Sequence, residues 1–163
     1  MPRRETLEIY VDVYTSIQEL TEADRTLLEE ARKACDNAYA PYSNFWVGAA
    51  FQLAGGEIIK GNNQENAAYP SGLCAERTAV YWLGANRPDA VIETLAISAK
   101  HAHADEFLPV TPCGACRQAL SEYENKQNQV FRVILEGKNG AIWIVPSVES
   151  LLPLKFSGDS LDL

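Results

Sequence analysis

Three of the four cysteines lie in two short segments, SGLCAE (residues 71–76) and TPCGACR (residues 111–117). Thiolates are good zinc ligands, and the C-x-x-C spacing of Cys113 and Cys116 chelates a tetrahedral ion well. That pair alone is also compatible with thiol redox chemistry. Cys74 favours metal binding, because it supplies a third ligand. A site with three protein ligands keeps the fourth tetrahedral position open, as in catalytic rather than structural zinc sites. The two segments therefore predict a catalytic zinc site with one ion per chain.

Glu76 follows Cys74 by two residues and is the candidate proton carrier of this site. A carboxylate there could act as general acid and base for a water molecule beside the metal. It could also be a carboxylate that only stabilises a helix N-terminus. Three thiolates would leave a zinc cluster with a net negative charge, which helix N-termini and a second layer of hydrogen bonds from Arg77 could offset. Gln118 is a weaker candidate for the same supporting layer, and Arg77 could instead be a surface arginine.

The fourth cysteine and the two histidines are expected to lie outside the site. Cys35 recurs with Ala34 and Ala38 at helical spacing, which favours packing in the core. A role as fourth zinc ligand, in a purely structural zinc module, is the alternative. His101 and His103 belong to the polar stretch HAHAD and are expected to be solvated rather than ligating.

Composition favours a small globular protein without a nucleic-acid partner. The chain has 163 residues and a net charge of −8, and its basic residues are scattered. Phosphate binding relies on clustered Lys and Arg, so nucleic acid is not an expected partner. Residues 1–25 lack the apolar core of a signal peptide, and no apolar run is long enough for a membrane helix. We expect one domain over residues 1–163 and a cytoplasmic location, where closely spaced cysteines favour metal binding over disulfides.

The order of predicted elements favours an α/β fold. Alternating apolar residues predict a strand over 7–14, and Thr21 is the expected N-cap of an amphipathic helix over 22–39. The further predicted elements are strands at 46–53, 57–61, 92–99, 130–135 and 141–145, helices at 74–85 and 113–124, and a short helix from Ser147 that ends before Pro153. This order predicts a three-layer α/β/α sandwich around a mixed, mostly five-stranded sheet.

From about Tyr42 to Phe156 the sequence resembles the small cytidine deaminases that hold zinc with three cysteines, which are homotetramers acting on free nucleosides. The resemblance is carried by five motifs: YSNF (42–45), VGAAF (47–51), NQENAAYPSGLCAER (63–77), PCGACRQ (112–118) and LLPLKF (151–156). Trp46 departs from the family pattern, and the loop over 100–111 is longer than in compact members. Residues 1–20 lie outside the match and receive no role.

The resemblance implies a role for each matching residue. It implies zinc ligation by Cys74, Cys113 and Cys116, proton transfer by Glu76, and nucleoside contacts from Phe45, Asn63, Glu65, Tyr69 and Ala75. It also implies that Phe156 reaches into the site of a neighbouring subunit, so that the sites of the homotetramer are shared.

The residue types of NQEN agree with a nucleoside substrate. Asn63 offers a donor and an acceptor, and Glu65 accepts hydrogen bonds from sugar hydroxyls but repels a phosphate. The expected reaction is hydrolytic deamination of cytidine and 2′-deoxycytidine to the uridines and ammonia, as part of pyrimidine salvage. The alternatives are a deaminase of another aminated heterocycle, a non-catalytic zinc module and a thiol redox protein.

Overall fold

A six-stranded mixed sheet forms the centre of the computed structural model, which describes residues 2–161. The strands are β1 (Asp12–Tyr14), β2 (Phe45–Leu53), β3 (Ile58–Asn62), β4 (Ile92–His101), β5 (Arg132–Glu136) and β6 (Ile142–Val145). Their order is β1-β6-β5-β4-β2-β3, with β4 and β5 parallel and the other pairs antiparallel. The helices are α1 (Glu22–Cys35), α2 (Ala75–Asn86) and α3 (Gly114–Gln127).

The helices cover both faces of the sheet, as the sequence predicts. Apolar residues of α1 pack with one face in a cluster of Leu20, Leu27, Leu28, Ala31, Ala50, Ala96, Ile134, Ile142 and Ile144. Residues of α2 and α3, including Val80, Leu83 and Leu120, pack against the other face around Phe51 and Leu95. The three-layer architecture is therefore confirmed, with six strands rather than five. The outer ends of the predicted domain, residue 1 and residues 162–163, lie outside the described part of the chain.

The sixth strand is β1, which is shorter than the predicted strand over 7–14. Only Asp12–Tyr14 pairs with β6, and Leu7 and Ile9 are exposed without regular structure. The register places Asp12 opposite Ile144, close to the end of β6. Pro146 follows β6 and has no N–H with which to extend the ladder. Residues 7–11 alternate in the same way but have no partner strand within residues 2–161.

Helix α1 ends at Cys35 rather than at residue 39. Its predicted N-cap is confirmed, since the Thr21 hydroxyl accepts a hydrogen bond from Asp24 N at 3.2 Å. At the other end, Tyr39 N donates to Asn63 O at 3.0 Å and Tyr39 O accepts from Glu65 N at 2.7 Å. These bonds to the loop after β3 take the backbone of residue 39 out of the helix.

The other predicted strands and helices are confirmed with small shifts of their boundaries, and the terminal helix is a single 3-10 turn, Glu149–Leu151. In the described part of the chain, no helix combines the length and the apolar composition needed to cross a bilayer.

Close backbone contact fixes α2 against the sheet. A Cβ at Gly61 would lie 2.7 Å from the carbonyl oxygen of Ala75 and 2.8 Å from both N and Cβ of Ala79. The absence of a side chain at Gly61 therefore allows the first turn of α2 to lie directly on β3. This turn begins next to Cys74 and contains Glu76, so the contact positions two candidate site residues.

We expect Gly61→Ala to lower the free energy of unfolding by about 1–3 kcal/mol, the usual effect of overpacking. The displaced first turn of α2 should also lower the zinc content per chain. Denaturant unfolding and metal analysis would measure both effects. Gly158→Ala is the matched control, because a Cβ there meets nothing within 4 Å. Equal unfolding midpoints for the two variants would contradict the role given to Gly61.

Candidate active site

Both cysteine segments begin helices, and a cysteine is the N-cap residue of each. Cys74 precedes α2 and Cys113 precedes α3, both with extended backbone, and neither side chain caps its own helix. Cys116 lies in the first turn of α3 and is fully buried. The positive ends of two helix dipoles therefore meet the three thiols, an environment that favours thiolates.

The three sulfur atoms are close enough to share one metal ion. The Sγ atoms of Cys74, Cys113 and Cys116 all lie within 4.8 Å of one another, and those of Cys74 and Cys113 are 3.8 Å apart. Tetrahedral zinc with bonds of about 2.3 Å requires about 3.8 Å between sulfur ligands. Cys113 is exposed, so the cluster is open to solvent on one side. The donor set therefore fits zinc with three protein ligands.

Hydrogen bonds within the cluster favour a thiolate at Cys74. A bond from the Cys116 thiol, followed by bonds from Arg77 and Cys113, lowers the pKa of Cys74 to about 5. The same bond to Cys74 and its own burial raise the pKa of Cys116. The cluster thus favours negative charge at Cys74, at the N-terminus of α2.

Arg77 is the cation that lies against this charge. Its Nη2 donates to Cys74 Sγ at 3.7 Å, and this hydrogen bond raises the pKa of the guanidinium. Its buried Nε has no hydrogen-bond partner among the described residues. The supporting contact predicted for Arg77 from the sequence is therefore present at Cys74.

Glu76 lies in the first turn of α2 with only 3% of its surface exposed. Burial, together with a smaller effect from the charge of Cys74, raises the pKa of its carboxyl to about 7. A carboxyl with a pKa near neutrality can both take up and release a proton under ordinary conditions. The side chain can therefore perform the proton transfers of a hydrolytic reaction beside the thiols.

One cavity of about 750 Å³ brings most of the candidate residues together. Its lining includes Cys74, Cys113, Glu76 and Arg77 from the starts of α2 and α3, together with Phe45, Asn63, Glu65 and Tyr69. The volume is typical of a site for a small molecule, with apolar walls and a few polar groups. The thiols of Cys74 and Cys113 thus lie in the wall of a pocket.

Comparison with known families identifies the family of the chain. The family model of the cytidine and deoxycytidylate deaminase zinc-binding region matches residues 21–132, which contain all three clustered cysteines and Glu76. The chain belongs to this deaminase family. Zinc is accordingly its metal, in agreement with the spacing of the sulfur atoms.

Individual deaminases match over most of the chain. A cytidine deaminase of Halalkalibacterium halodurans is 37% identical over 83% of this chain and 96% of its own. One of Sporosarcina psychrophila is 40% identical over 83% of this chain and 92% of its own. The crystal structure of cytidine deaminase from Burkholderia pseudomallei superposes with a TM-score of 0.69 at 36% identity, covering 84% of this chain and 100% of the other.

Asn63 lines the deaminase pocket and also supports the strand beside it. Its Oδ1 accepts from Val47 N at 2.8 Å, and its Nδ2 donates to Phe45 O at 2.9 Å. An amide has a second Nδ2 hydrogen and a second Oδ1 lone pair, so these contacts leave capacity for a ligand. Sequence reasoning predicted the ligand contact and missed the structural one.

Glu65 is held at the pocket by the turn that contains YSNF. Its Oε2 accepts from Tyr42 N at 2.9 Å and from Ser43 N at 3.3 Å. The Ser43 hydroxyl, together with these N–H groups, lowers the pKa of the Glu65 carboxyl. The residue is therefore an oriented carboxylate at the pocket wall. Tyr69, 92% exposed, lies at the rim.

Besides the buried Cys116, three predicted residues are not among those that line the pocket. Ala75 is fully buried behind it in the core. Gln118 donates from Nε2 to Phe156 O at 3.0 Å, and both residues line a second cavity, of about 600 Å³, along α2 and α3. The structure thus places Gln118 with the C-terminal segment, and in the described part of the chain no hydrogen bond links its side chain to a thiol. Phe156 is 58% exposed and lines this second cavity rather than the pocket of its own chain.

Sequence reasoning missed Arg117, which braces the loop in front of Cys113. Its Nε donates to Pro112 O at 2.8 Å and its Nη1 to Leu151 O at 2.9 Å. These bonds join the metal-binding loop to the C-terminal segment that carries Phe156. The position of Arg117 directly after C-x-x-C is the signal that could have suggested such a role. Val110 and Thr111, which line the pocket, carried no signal of their own.

Cys35 and the histidines lie outside the thiol cluster. Cys35 is fully buried on the α1 side of the sheet, with its Sγ 3.4 Å from Ser98 O, and burial raises its pKa to about 12. Its predicted role in the core is therefore confirmed. His101 and His103 are exposed, as predicted, but each also packs its ring against an aromatic side chain.

Proposed function

We propose that this protein deaminates cytidine and 2′-deoxycytidine hydrolytically, giving the uridines and ammonia. The observation that carries the proposal is a cluster of three thiols beside one pocket, which Cys74, Cys113 and the buried Glu76 line. A structural zinc module would need a fourth ligand. Within residues 2–161 the cluster has three candidate ligands, and Cys35 lies on the opposite side of the sheet.

Cys74, Cys113 and Cys116 would hold the zinc ion and leave its fourth position open towards the pocket. When bound, zinc lowers the pKa of a water molecule and so supplies a nucleophile at neutral pH. Arg77 and the two helix N-termini offset the negative charge of the three thiolates, so that the site still favours loss of a proton.

Glu76 moves the protons of the reaction. Its carboxylate takes a proton from the attacking water and delivers it to the ring nitrogen next to the amino-bearing carbon. The water oxygen bonds to that carbon, which becomes tetrahedral. Glu76 then transfers the remaining proton of this oxygen to the amino group, the carbon–nitrogen bond breaks, and ammonia leaves. One water is consumed, and the carboxylate is regenerated ionised.

Asn63 and Glu65 would bind the sugar. The Glu65 carboxylate, oriented by the turn at Tyr42 and Ser43, can accept hydrogen bonds from hydroxyl groups. Its charge repels a phosphate, which favours nucleosides over nucleotides. Phe45 and Tyr69 provide aromatic surface for the nucleoside, and the backbone of Ala75 would contribute at the start of α2.

The direct test combines turnover and metal analysis on one preparation. Purified protein is incubated with cytidine, the ultraviolet change to uridine is followed, and zinc per chain is measured. We expect one zinc per chain and turnover that chelation abolishes. Zinc without turnover of cytidine or deoxycytidine would overturn the substrate assignment. A panel of other aminated heterocycles would then separate a related deaminase from a non-catalytic zinc module.

We further propose that the protein is a homotetramer with shared sites, acting in pyrimidine salvage in the cytoplasm. The support is the position of Phe156, which is exposed, does not line the pocket of its own chain and is anchored by Gln118. The groove it lines also exposes Tyr81, so α2 and α3 present apolar surface to a neighbour.

In a tetramer of this kind, Phe156→Ala should raise KM for cytidine about tenfold or more. The reason is the loss of one buried aromatic side chain over the substrate, which contributes about 1.5–3 kcal/mol. Steady-state kinetics and size-exclusion chromatography would measure the effect. Leu154→Ala, at a fully exposed neighbouring position, is the control. An unchanged KM in intact Phe156→Ala tetramers would exclude the shared site.

A further inference from the structure

Phe45 in the pocket wall has an aromatic partner that the proposed reaction does not use. His101 lies directly opposite Phe45 in the antiparallel β2–β4 pair. The two ring centroids are 5.9 Å apart, and the rings are inclined by 74°. This edge-to-face geometry is the favoured arrangement for aromatic rings, and it restricts the orientation of both.

The main chain of Phe45 is held independently of this ring contact. Its N–H donates to Ser43 Oγ at 3.0 Å, and its carbonyl oxygen accepts from Asn63 Nδ2 at 2.9 Å. The backbone position is therefore set by residues that themselves line the pocket. What the backbone leaves open is the orientation of the ring, and His101 is the aromatic residue in contact with it.

The loop that follows His101 keeps the histidine in place. Ala102 N donates to Asn44 O at 2.8 Å, and Ala104 N donates to His101 O at 3.0 Å. Leu108 N then donates to Ala99 O at 2.8 Å, so the loop folds back on the strand it leaves. The end of β4 is thus fixed against the end of β2.

His103 offers a comparison within the same loop. Its ring packs against Trp46, with centroids 5.0 Å apart and an inclination of 70°. Successive residues of a strand point to opposite faces, so Trp46 and Phe45 lie on different sides of β2. Phe45 lines the pocket, whereas Trp46 is not among its lining residues. The two histidines therefore make similar contacts, and only one of these contacts adjoins the site.

We infer that His101 is a positioning residue for nucleoside binding, which acts by fixing the Phe45 ring in the pocket wall. The inference rests on the proposed function, since it assumes that a nucleoside occupies this pocket. His101 itself touches no reacting atom. Because the ring contacts substrate equally in the ground and transition states, its loss changes KM and leaves kcat unaltered.

The test compares His101→Asn with His103→Asn, the same chemical change at two positions. Asparagine suits position 103, where the backbone is left-handed at φ 63°. We expect His101→Asn to raise KM for cytidine about two- to tenfold, with kcat within about twofold. The dissociation constant for uridine, measured by calorimetry, should rise by the same factor. His103→Asn should change neither, and His101→Phe should restore both by supplying another ring edge.

Wild-type constants in His101→Asn would overturn the inference, as would an equal rise in His103→Asn. Failure of His101→Phe to restore binding would overturn it as well. Uridine binding is read without turnover, so it separates the two proposals. A wild-type protein that does not deaminate cytidine would overturn the proposed function, while the comparison of uridine affinities would still decide the role of His101.

Discussion

Glu76→Gln is expected to abolish turnover while leaving zinc bound. The side chain is 3% exposed and lies in the first turn of α2, two residues after a candidate ligand. Glutamine has nearly the same shape, so the fold and the thiols should be preserved, but it cannot carry a proton. General acid–base catalysis contributes about 10² to 10⁴-fold for each step, and the proposed mechanism assigns more than one step to this carboxylate. We therefore expect kcat to fall by about 10⁴-fold or more.

The measurement is kcat for cytidine together with zinc per chain. Glu57→Gln, in the exposed turn between β2 and β3, makes the same change away from the pocket and should keep full activity. A Glu76→Gln protein that retains activity within tenfold of wild type would remove the proton-transfer role. Loss of zinc from this variant would instead indicate that Glu76 stabilises the metal site.

The chemistry of the site can be predicted from the sequence because the residues of each helix start lie close together along the chain. Cys113 and Cys116 are three residues apart across the first turn of one helix, and Cys74 and Glu76 flank the start of another. The contact between the two helix starts, in contrast, depends on the order of the strands in the sheet. The strands that precede α2 and α3 are β3 and β4, which flank β2, and this sheet order brings the sulfurs of Cys74 and Cys113 to 3.8 Å.

The features that sequence reasoning missed all depend on contacts between distant segments. The Gln118 amide binds a carbonyl 38 residues away, and no pattern around PCGACRQ indicates this choice over a thiol. Asn63 directly follows β3, the neighbour of β2 in the sheet, and its side chain therefore reaches the backbone of β2. The strand over 7–14 is short because Pro146 ends its partner. Alternating apolar residues indicate that a segment prefers extended structure, but they do not indicate how long the neighbouring strand is.

The Cys113→Ala variant, which removes one candidate zinc ligand, should lose both its bound zinc and its turnover of cytidine. Removing one of three thiolates is more severe than removing a supporting hydrogen bond, which alone costs about 10- to 100-fold in metal affinity. We expect zinc per chain to fall close to zero after dialysis and cytidine turnover to disappear. Because Cys113 is exposed at the N-cap of α3, its replacement leaves no cavity in the core, and the variant should remain folded.

Cys35→Ala is the matched control, since it removes the fourth thiol of the chain from the other side of the sheet. Its Sγ contacts Ser98 O and Ala31 O rather than the cluster, so zinc content and turnover should stay at wild-type values. The two variants separate a catalytic site with three ligands from a closed structural one. A structural module that uses Cys35 would lose its zinc in both proteins, and a thiol redox protein would lose activity in Cys113→Ala without any dependence on zinc. Only an open three-thiolate site predicts that metal and turnover are lost in Cys113→Ala and kept in Cys35→Ala.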